Sequence, residues 1–421
     1  MFATLTIKIV TWMKNNQLFR ESGSFFLSEG VGLFFAMLIL VFRGRFLSAD
    51  DLGMIDYVTS IVAFTSAFFL LGIDNTGARL IINEKNELEK KQLAGMTMLL
   101  AVVLMVVYVI FMAVFTMTVP LWGRADSVSY IYIILPFAGY SILLLCYKQL
   151  CFALGDIRQA SIQLFISYVL YFVVLLVLRF TNLLNLYSAL VFSFGINLAT
   201  IVIPMYVKYG CFIKWNKSSW LSIKKEQHER GWKIYFSRVV FSSASNLDTL
   251  ILGVFNPLST VAYFSIAKYC SMVISMVGNS VSQSMYRKYA EVNEISKKLI
   301  KSIVLLTVIL AGVIFCITYI VVLIMGSEYF EVMRILPIAI ISQSIASINA
   351  IYNSFMNAKG MANELRVLAF IGVAGRLVFD FALIIPFGAL GGLCADLLVN
   401  IFVFTMRVYY CRRYKNKQKL L

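Results

Sequence analysis

Long apolar runs follow one another along this chain, separated by short polar stretches. Mostly apolar segments at 25–45, 54–75, 96–119, 128–150, 161–179, 184–207, 234–256, 259–284, 302–325, 333–356, 366–386 and 389–409 each reach the ~20 residues an α-helix needs to cross hydrocarbon. Turn chemistry separates several of them, as in Pro120-Leu-Trp-Gly123, Asn256-Pro257 and Pro386-Phe-Gly388. Lipid offers no partner to a backbone amide, so each run must close its own hydrogen bonds as a helix. The pattern predicts an all-α integral membrane protein of about twelve transmembrane helices. Ahead of the first run, residues 3–19 (ATLTIKIVTWMKNNQLF) read as a short amphipathic helix lying on the interface.

Composition agrees. Hydrophobic residues make up 60% and charged residues 14% of the chain, whereas a soluble domain carries about 25% charge. Twelve spans with their loops account for the chain and leave no room for a soluble domain. The seven cysteines, Cys146, Cys151, Cys211, Cys270, Cys316, Cys394 and Cys411, form no CxxC pair and read as small buried hydrophobes.

The net charge of +16 would suggest nucleic acid in a soluble protein. Its distribution points instead to the membrane, with no nucleic-acid partner. Of the 37 Lys and Arg, one alternating set of loops holds only Arg43, Arg45, Arg124, Arg179 and Arg334, and Arg238, Lys268 and Arg376 lie inside spans. All the others fall on the opposite side, which the positive-inside rule makes cytoplasmic, with both termini there. Trp12, Trp215, Trp220 and Trp232 lie beside the same ends. The longest loop is basic and divides the chain into a six-helix bundle at 1–207, a linker at 208–233, and a six-helix bundle with a basic tail at 234–421.

A faint repeat relates the halves. FLSADDLGMIDY (46–57) opens the second span and NPLSTVAYFSIA (256–267) the eighth, so that Gly53 matches Ala262. Glu29 in FLSEG and Arg238 in YFSRV stand at the same offset, and Gly155 and Gly360 close the fourth and tenth spans at nearly that offset. Because each half has an even number of spans, duplication predicts two bundles related by a pseudo-twofold axis along the membrane normal. The substrate path is then expected between them, near mid-membrane.

Apart from the Lys and Arg counted with the loops, nine charged residues fall within the spans: Glu29, Asp56, Asp74, Arg238, Asp248, Lys268, Arg376, Asp380 and Asp396. The first four can reach an interface by snorkelling. The other five are deeper, and at roughly 3 kcal/mol each they would cost about 15 kcal/mol if they faced lipid, as much as a whole domain's stability. They must pair or border water. Arg376 and Asp380 share a helix face at i, i+4, and Asp248 and Lys268 fall at similar depth on neighbouring antiparallel spans. Two readings follow. The charges are static ion pairs, or they line a path in which Arg238, Lys268 and Arg376 hold an anionic head group and Asp248, Asp380 and Asp396 carry a coupling proton or sodium ion. Asn246, Asn349 and Asn353 add amides able to bond sugar hydroxyls.

No Walker A loop, HExxH or GxSxG occurs, and the single histidine, His228, sits in the linker. The sequence predicts a non-enzyme without a cofactor or metal site, whose uphill work draws on an ion gradient or on substrate supply.

Taken in order, FLSADDLGMIDYVTS (46–60), LGIDNTGARL (71–80), FALGD (152–156), NPLSTVAYFSIAKY (256–269) and FGALGGLCAD (387–396) resemble the polysaccharide-biosynthesis flippases, the Wzx-type O-antigen transporters of the multidrug/oligosaccharidyl-lipid/polysaccharide superfamily. The resemblance implies a MATE-like 6+6 fold in the bacterial inner membrane. It also implies flipping of undecaprenyl-diphosphate-linked oligosaccharide to the outer leaflet by alternating access, alongside a polysaccharide polymerase and a chain-length regulator. By position, Asp74 and Arg79 belong to the motif closing the second span, which with Glu29 makes them gate residues, and Tyr263 and Lys268 belong to the motif in the eighth. The competing reading is an ion-coupled multidrug or metabolite exporter on the same plan. A glycan polymerase or ligase would need a long external loop, and none is apparent.

Overall fold

The computed structural model describes residue 32, residues 34–292 and residues 294–419. The amphipathic segment 3–19 and Glu29 lie outside the described residues. Among those described every regular element is helical. A helix over 34–46 (α1) is followed by α2 (Ala49–Ala67), α3 (Ile73–Asn83), α4 (Glu87–Trp122), α5 (Ser127–Ala138), α6 (Tyr140–Ala153), α7 (Ile157–Phe180) and α8 (Leu186–Tyr209). A short linker helix, α9 (Lys217–Glu226), and a π-helical turn (Gln227–Gly231) lead to α10 (Trp232–Phe255), α11 (Leu258–Glu291), α12 (Lys297–Met325), α13 (Glu331–Ala358) and α14 (Ala362–Lys419). Among the described residues eight helical stretches are long and apolar enough to cross a membrane. The longest, α14, supplies two spans. With α1, α2 and α10 the chain is a multi-pass membrane protein of about twelve spans.

The helix boundaries differ from the apolar runs where local chemistry overrides hydropathy. The second span begins at Ala49, because Ser48 and Asp51 form a capping box: the Asp51 N–H donates to Ser48 Oγ (3.1 Å) and the Ser48 N–H to Asp51 Oδ2 (3.3 Å). It ends at Ala67, and the chain turns through left-handed backbone at Leu71 and Gly72 before α3. The fourth span is two helices meeting at Gly139. The last two are one hydrogen-bonded run folded back at Gly388 (φ 57°, ψ −132°). An L side chain rarely adopts that backbone, and Pro386 just before it removes a helical N–H.

The chain forms two compact units. The first comprises residues up to Ile39, Phe68–Val114 and Tyr132–Phe236. Its core joins α3, α4, α6, α8 and α9 through Ile81, Met96, Tyr147, Leu150, Ile201 and Ile223. The second comprises Leu40–Ala67, Phe115–Ile131 and Ser237–Leu421. There α11 packs on α13 and α2, and α13 on α14, around Val261, Phe264, Ile274, Leu336, Ile351 and Phe355. Val308, Ile320, Phe370 and Val378 remain exposed, as expected of surfaces whose solvent is lipid.

Candidate functional site

The second unit gathers all five deep charges into one cluster. Asp248 comes from α10, Lys268 from α11, and Arg376, Asp380 and Asp396 from the two arms of α14. Lys268 Nζ lies 2.5 Å from Asp248 Oδ2, and Arg376 Nη2 lies 3.4 Å from the same oxygen. The second oxygen, Asp248 Oδ1, accepts from the Thr249 backbone N–H at 2.8 Å. Arg376 Nη2 also donates to Asp396 Oδ1, and Arg376 Nε stands 3.9 Å from Asp380 Oδ2. Arg376 thus bridges α10 to both arms of α14, which only a forked guanidinium can do with fixed geometry. Lys268 further lies over the Phe264 ring, 5.1 Å from its centroid.

Burial divides the cluster by sign. The Lys268 and Arg376 side chains are 27% and 20% exposed, whereas Asp248 and Asp380 are 1% and Asp396 11% exposed. The cations form the accessible rim and the carboxylates lie beneath them. Asp380 makes no hydrogen bond among the described residues. Three carboxylates against two cations leave the cluster one negative charge in surplus.

The other residues singled out by sequence lie elsewhere. Asn246 is on α10, two residues before Asp248. Arg238 is on the same helix, and its side chain is outside those described. Asn349 and Asn353 join a separate polar group in the second unit: Arg407 donates to Asn349 O (3.0 Å) and Asn353 Oδ1 (3.2 Å). Asn349 Nδ2 donates to Asn400 O (3.1 Å), and Asn400 Nδ2 to Ser342 Oγ (3.0 Å).

Asp74 and Arg79 belong to the first unit. Asp74 is buried in the first turn of α3. Arg79 Nε meets Glu226 Oε1 at 3.3 Å, the Thr76 hydroxyl donates to Gln227 Oε1 (2.7 Å), and Gln227 Nε2 donates to Leu71 O. The LGIDNTGARL motif therefore fastens α3 and the turn before it to the linker within the first unit.

Sequence reading missed a further feature. In the second unit Asp50 Oδ1 accepts from the Ser259 backbone N–H (2.8 Å), and Arg124 Nη1 donates to Asn256 O (3.3 Å). Gly53 meets the Leu258 carbonyl so closely that a Cβ would overlap it. The signal was present: Pro257 offers α11 no side-chain cap, and a glycine near the start of α2 marks close approach.

The profile of a family described as polysaccharide biosynthesis protein matches residues 18–286. Comparison with curated proteins gives no match. Among solved structures the chain resembles the lipid II flippase MurJ in an inward closed conformation (TM-score 0.71, 12% identity, covering 93% of this chain and 87% of that one). It also resembles an inward-facing multidrug-resistance MATE family transporter of the MOP superfamily (TM-score 0.67, 13% identity, 91% and 96%) and the MATE multidrug transporter DinF-BH (TM-score 0.65, 13% identity, 93% and 94%). Identities this low carry the fold alone; the fold class expected from sequence is confirmed by them, and the match over residues 18–286 places the chain in the polysaccharide biosynthesis protein family.

Proposed function

We propose that this protein is a non-enzymatic flippase that moves lipid-linked oligosaccharide, carried on undecaprenyl diphosphate, from the cytoplasmic to the outer leaflet of the bacterial inner membrane by alternating access. Both termini are then cytoplasmic, as the Lys/Arg asymmetry requires. The carrying observation is the layered charge cluster, in which Lys268 and Arg376 are the partly exposed members and the carboxylates lie below. A rim of cations receives a diphosphate. An apolar cation would meet like charge there. Family membership supports a polysaccharide precursor as cargo, and the fold shared with MurJ supports a lipid-borne one. Arg238 belongs to the same path in this reading, with Asn246, and Asp248, Asp380 and Asp396 are the groups available to a coupling proton or sodium ion. A polysaccharide polymerase and a chain-length regulator are the proposed downstream partners.

The surplus carboxylate favours a second reading, an ion-coupled exporter of drugs or metabolites. One experiment separates the two. A strain lacking this chain should accumulate lipid-linked repeat units on the cytoplasmic side, and the wild-type chain should clear them. Normal glycan export without the chain, together with increased drug sensitivity, would replace the flippase by the exporter.

A further inference from the structure

The second polar group of the second unit holds a cation with no counter-charge among the described residues. Arg407 lies on the second arm of α14, and its two hydrogen bonds go to neutral acceptors, the Asn349 carbonyl and the Asn353 side chain. No carboxylate pairs with it among the described residues, and its Nε–H is buried without a partner. Two of five guanidinium donors are spent, and three remain. Lys415, two turns further along, is by contrast neutralised by Glu294. Taking a guanidinium out of water without an anion is unfavourable, and no anion among the described residues offsets it, so the site is suited to an anion supplied by a ligand.

Depth identifies what supplies it. At ~1.5 Å per residue, Arg407 stands about 28 Å along the helix from the Gly388 bend. That nearly equals the ~30 Å thickness of hydrocarbon. With the bend on the side poor in Lys and Arg, Arg407 reaches the level of the cytoplasmic-leaflet phosphates. Arg412 and Arg413, exposed a turn further on, extend the positive field toward the headgroups.

We propose that Arg407, held open by Asn349 and Asn353, is a binding site for a lipid-borne phosphate at the inner interface. The phosphate belongs to an anionic phospholipid or to the polyprenyl diphosphate carrier, and only the second source rests on the flippase reading. The purified full chain and its R407Q variant are titrated with phosphatidylglycerol, undecaprenyl diphosphate and phosphate-free diacylglycerol, with bound lipid counted by native mass spectrometry. Losing the charge-assisted bonds should weaken phosphate-lipid binding about tenfold and leave diacylglycerol unaffected. Tighter binding of the diphosphate identifies the carrier as ligand; equal or tighter binding of phosphatidylglycerol identifies bulk lipid. Equal affinity of wild type and R407Q for both phosphate lipids overturns the site, as does diacylglycerol binding as well as they do. Should R407Q not accumulate, R407K carries the test. Its ammonium cannot hold two amides and a phosphate together, so affinity should still fall severalfold, and an unchanged affinity overturns the site. A wild-type chain that binds phosphatidylglycerol through Arg407 but moves no glycan would end the proposed function and leave the site standing.

Discussion

Asp50 caps the helix that begins at its own repeat counterpart: its carboxylate takes the backbone N–H of Ser259, 209 positions further on, at 2.8 Å. The same offset relates Gly53 to Ala262 and Glu29 to Arg238. Under a twofold duplication, a residue that touches its own counterpart lies on the axis relating the copies, so the turns opening α2 and α11 meet there. Helix α2 caps itself through Ser48 and Asp51, whereas α11 begins after Pro257 and borrows Asp50. This junction lies at the ends assigned to the outer side, and alternating access would require it to part in each cycle. Removing the cap with D50A should cost about 1 kcal/mol of closure, roughly fivefold in the closed-to-open ratio. Thiol labelling of a cysteine at Ser259 from outside cells should rise accordingly. Unchanged labelling would mean the contact does not hold the outer end shut.

Gly53 tests the same junction by volume. A Cβ there would overlap the Leu258 carbonyl, which is backbone and cannot rotate away. G53V should therefore separate α2 from α11 at a cost of about 1–3 kcal/mol and hold the outer end open. The expected result is wild-type abundance with transport lost and external labelling near its maximum. A transporting G53V chain would show that the two helices are free to shift apart without consequence.

The charge cluster makes a prediction about rank order. Arg376 serves Asp248, Asp380 and Asp396 together, so R376L strands buried carboxylates and should cost about 3–5 kcal/mol, read as a large fall in the melting temperature of the solubilised protein. D380N removes a carboxylate that makes no hydrogen bond among the described residues, and should change stability by less than about 1 kcal/mol. K268Q leaves Asp248 its Arg376 partner, so the protein should persist in the membrane while, under the proposed function, transport fails. Equal losses of stability across the three variants would show that the cluster acts as an undifferentiated structural lock.

How much of this was legible from sequence depends on which force sets each feature. The spans were readable because the cost of an unsatisfied backbone in lipid leaves only apolar helices. Asp248 and Lys268 could be matched in depth across one short turn, and they meet. Arg376 was expected to face Asp380 at i, i+4, but its shorter contact is with Asp396, because the fold at Gly388 lays the second arm of α14 against the first. That bend is tertiary, and no period along the chain announces it. Arg407 was counted as a loop cation for a related reason. Hydropathy fades near a span's end, whereas the hydrogen bonds to Asn349 and Asn353 depend on α13 lying alongside.

The linker latch offers the last test. Gln227 carries two hydrogen bonds at once, accepting from the Thr76 hydroxyl and donating to Leu71 O, within a π-turn between α9 and α10. Such turns are frequent at functional sites. Beside it, the Arg79–Glu226 pair has a 42% exposed arginine and should contribute no more than about 1 kcal/mol. Q227A should therefore weaken the attachment more than R79E does, because it leaves the half-buried Leu71 carbonyl and Thr76 hydroxyl without their partner, at about 1–3 kcal/mol. Limited proteolysis within 208–233 in inside-out vesicles reads this directly: cleavage should accelerate strongly in Q227A and slightly in R79E, and the charge swap R79E/E226R should restore the wild-type rate. If R79E cleaved as fast as Q227A, the attachment would be electrostatic, and the paired hydrogen bonds of Gln227 would not be what holds α3 to the linker.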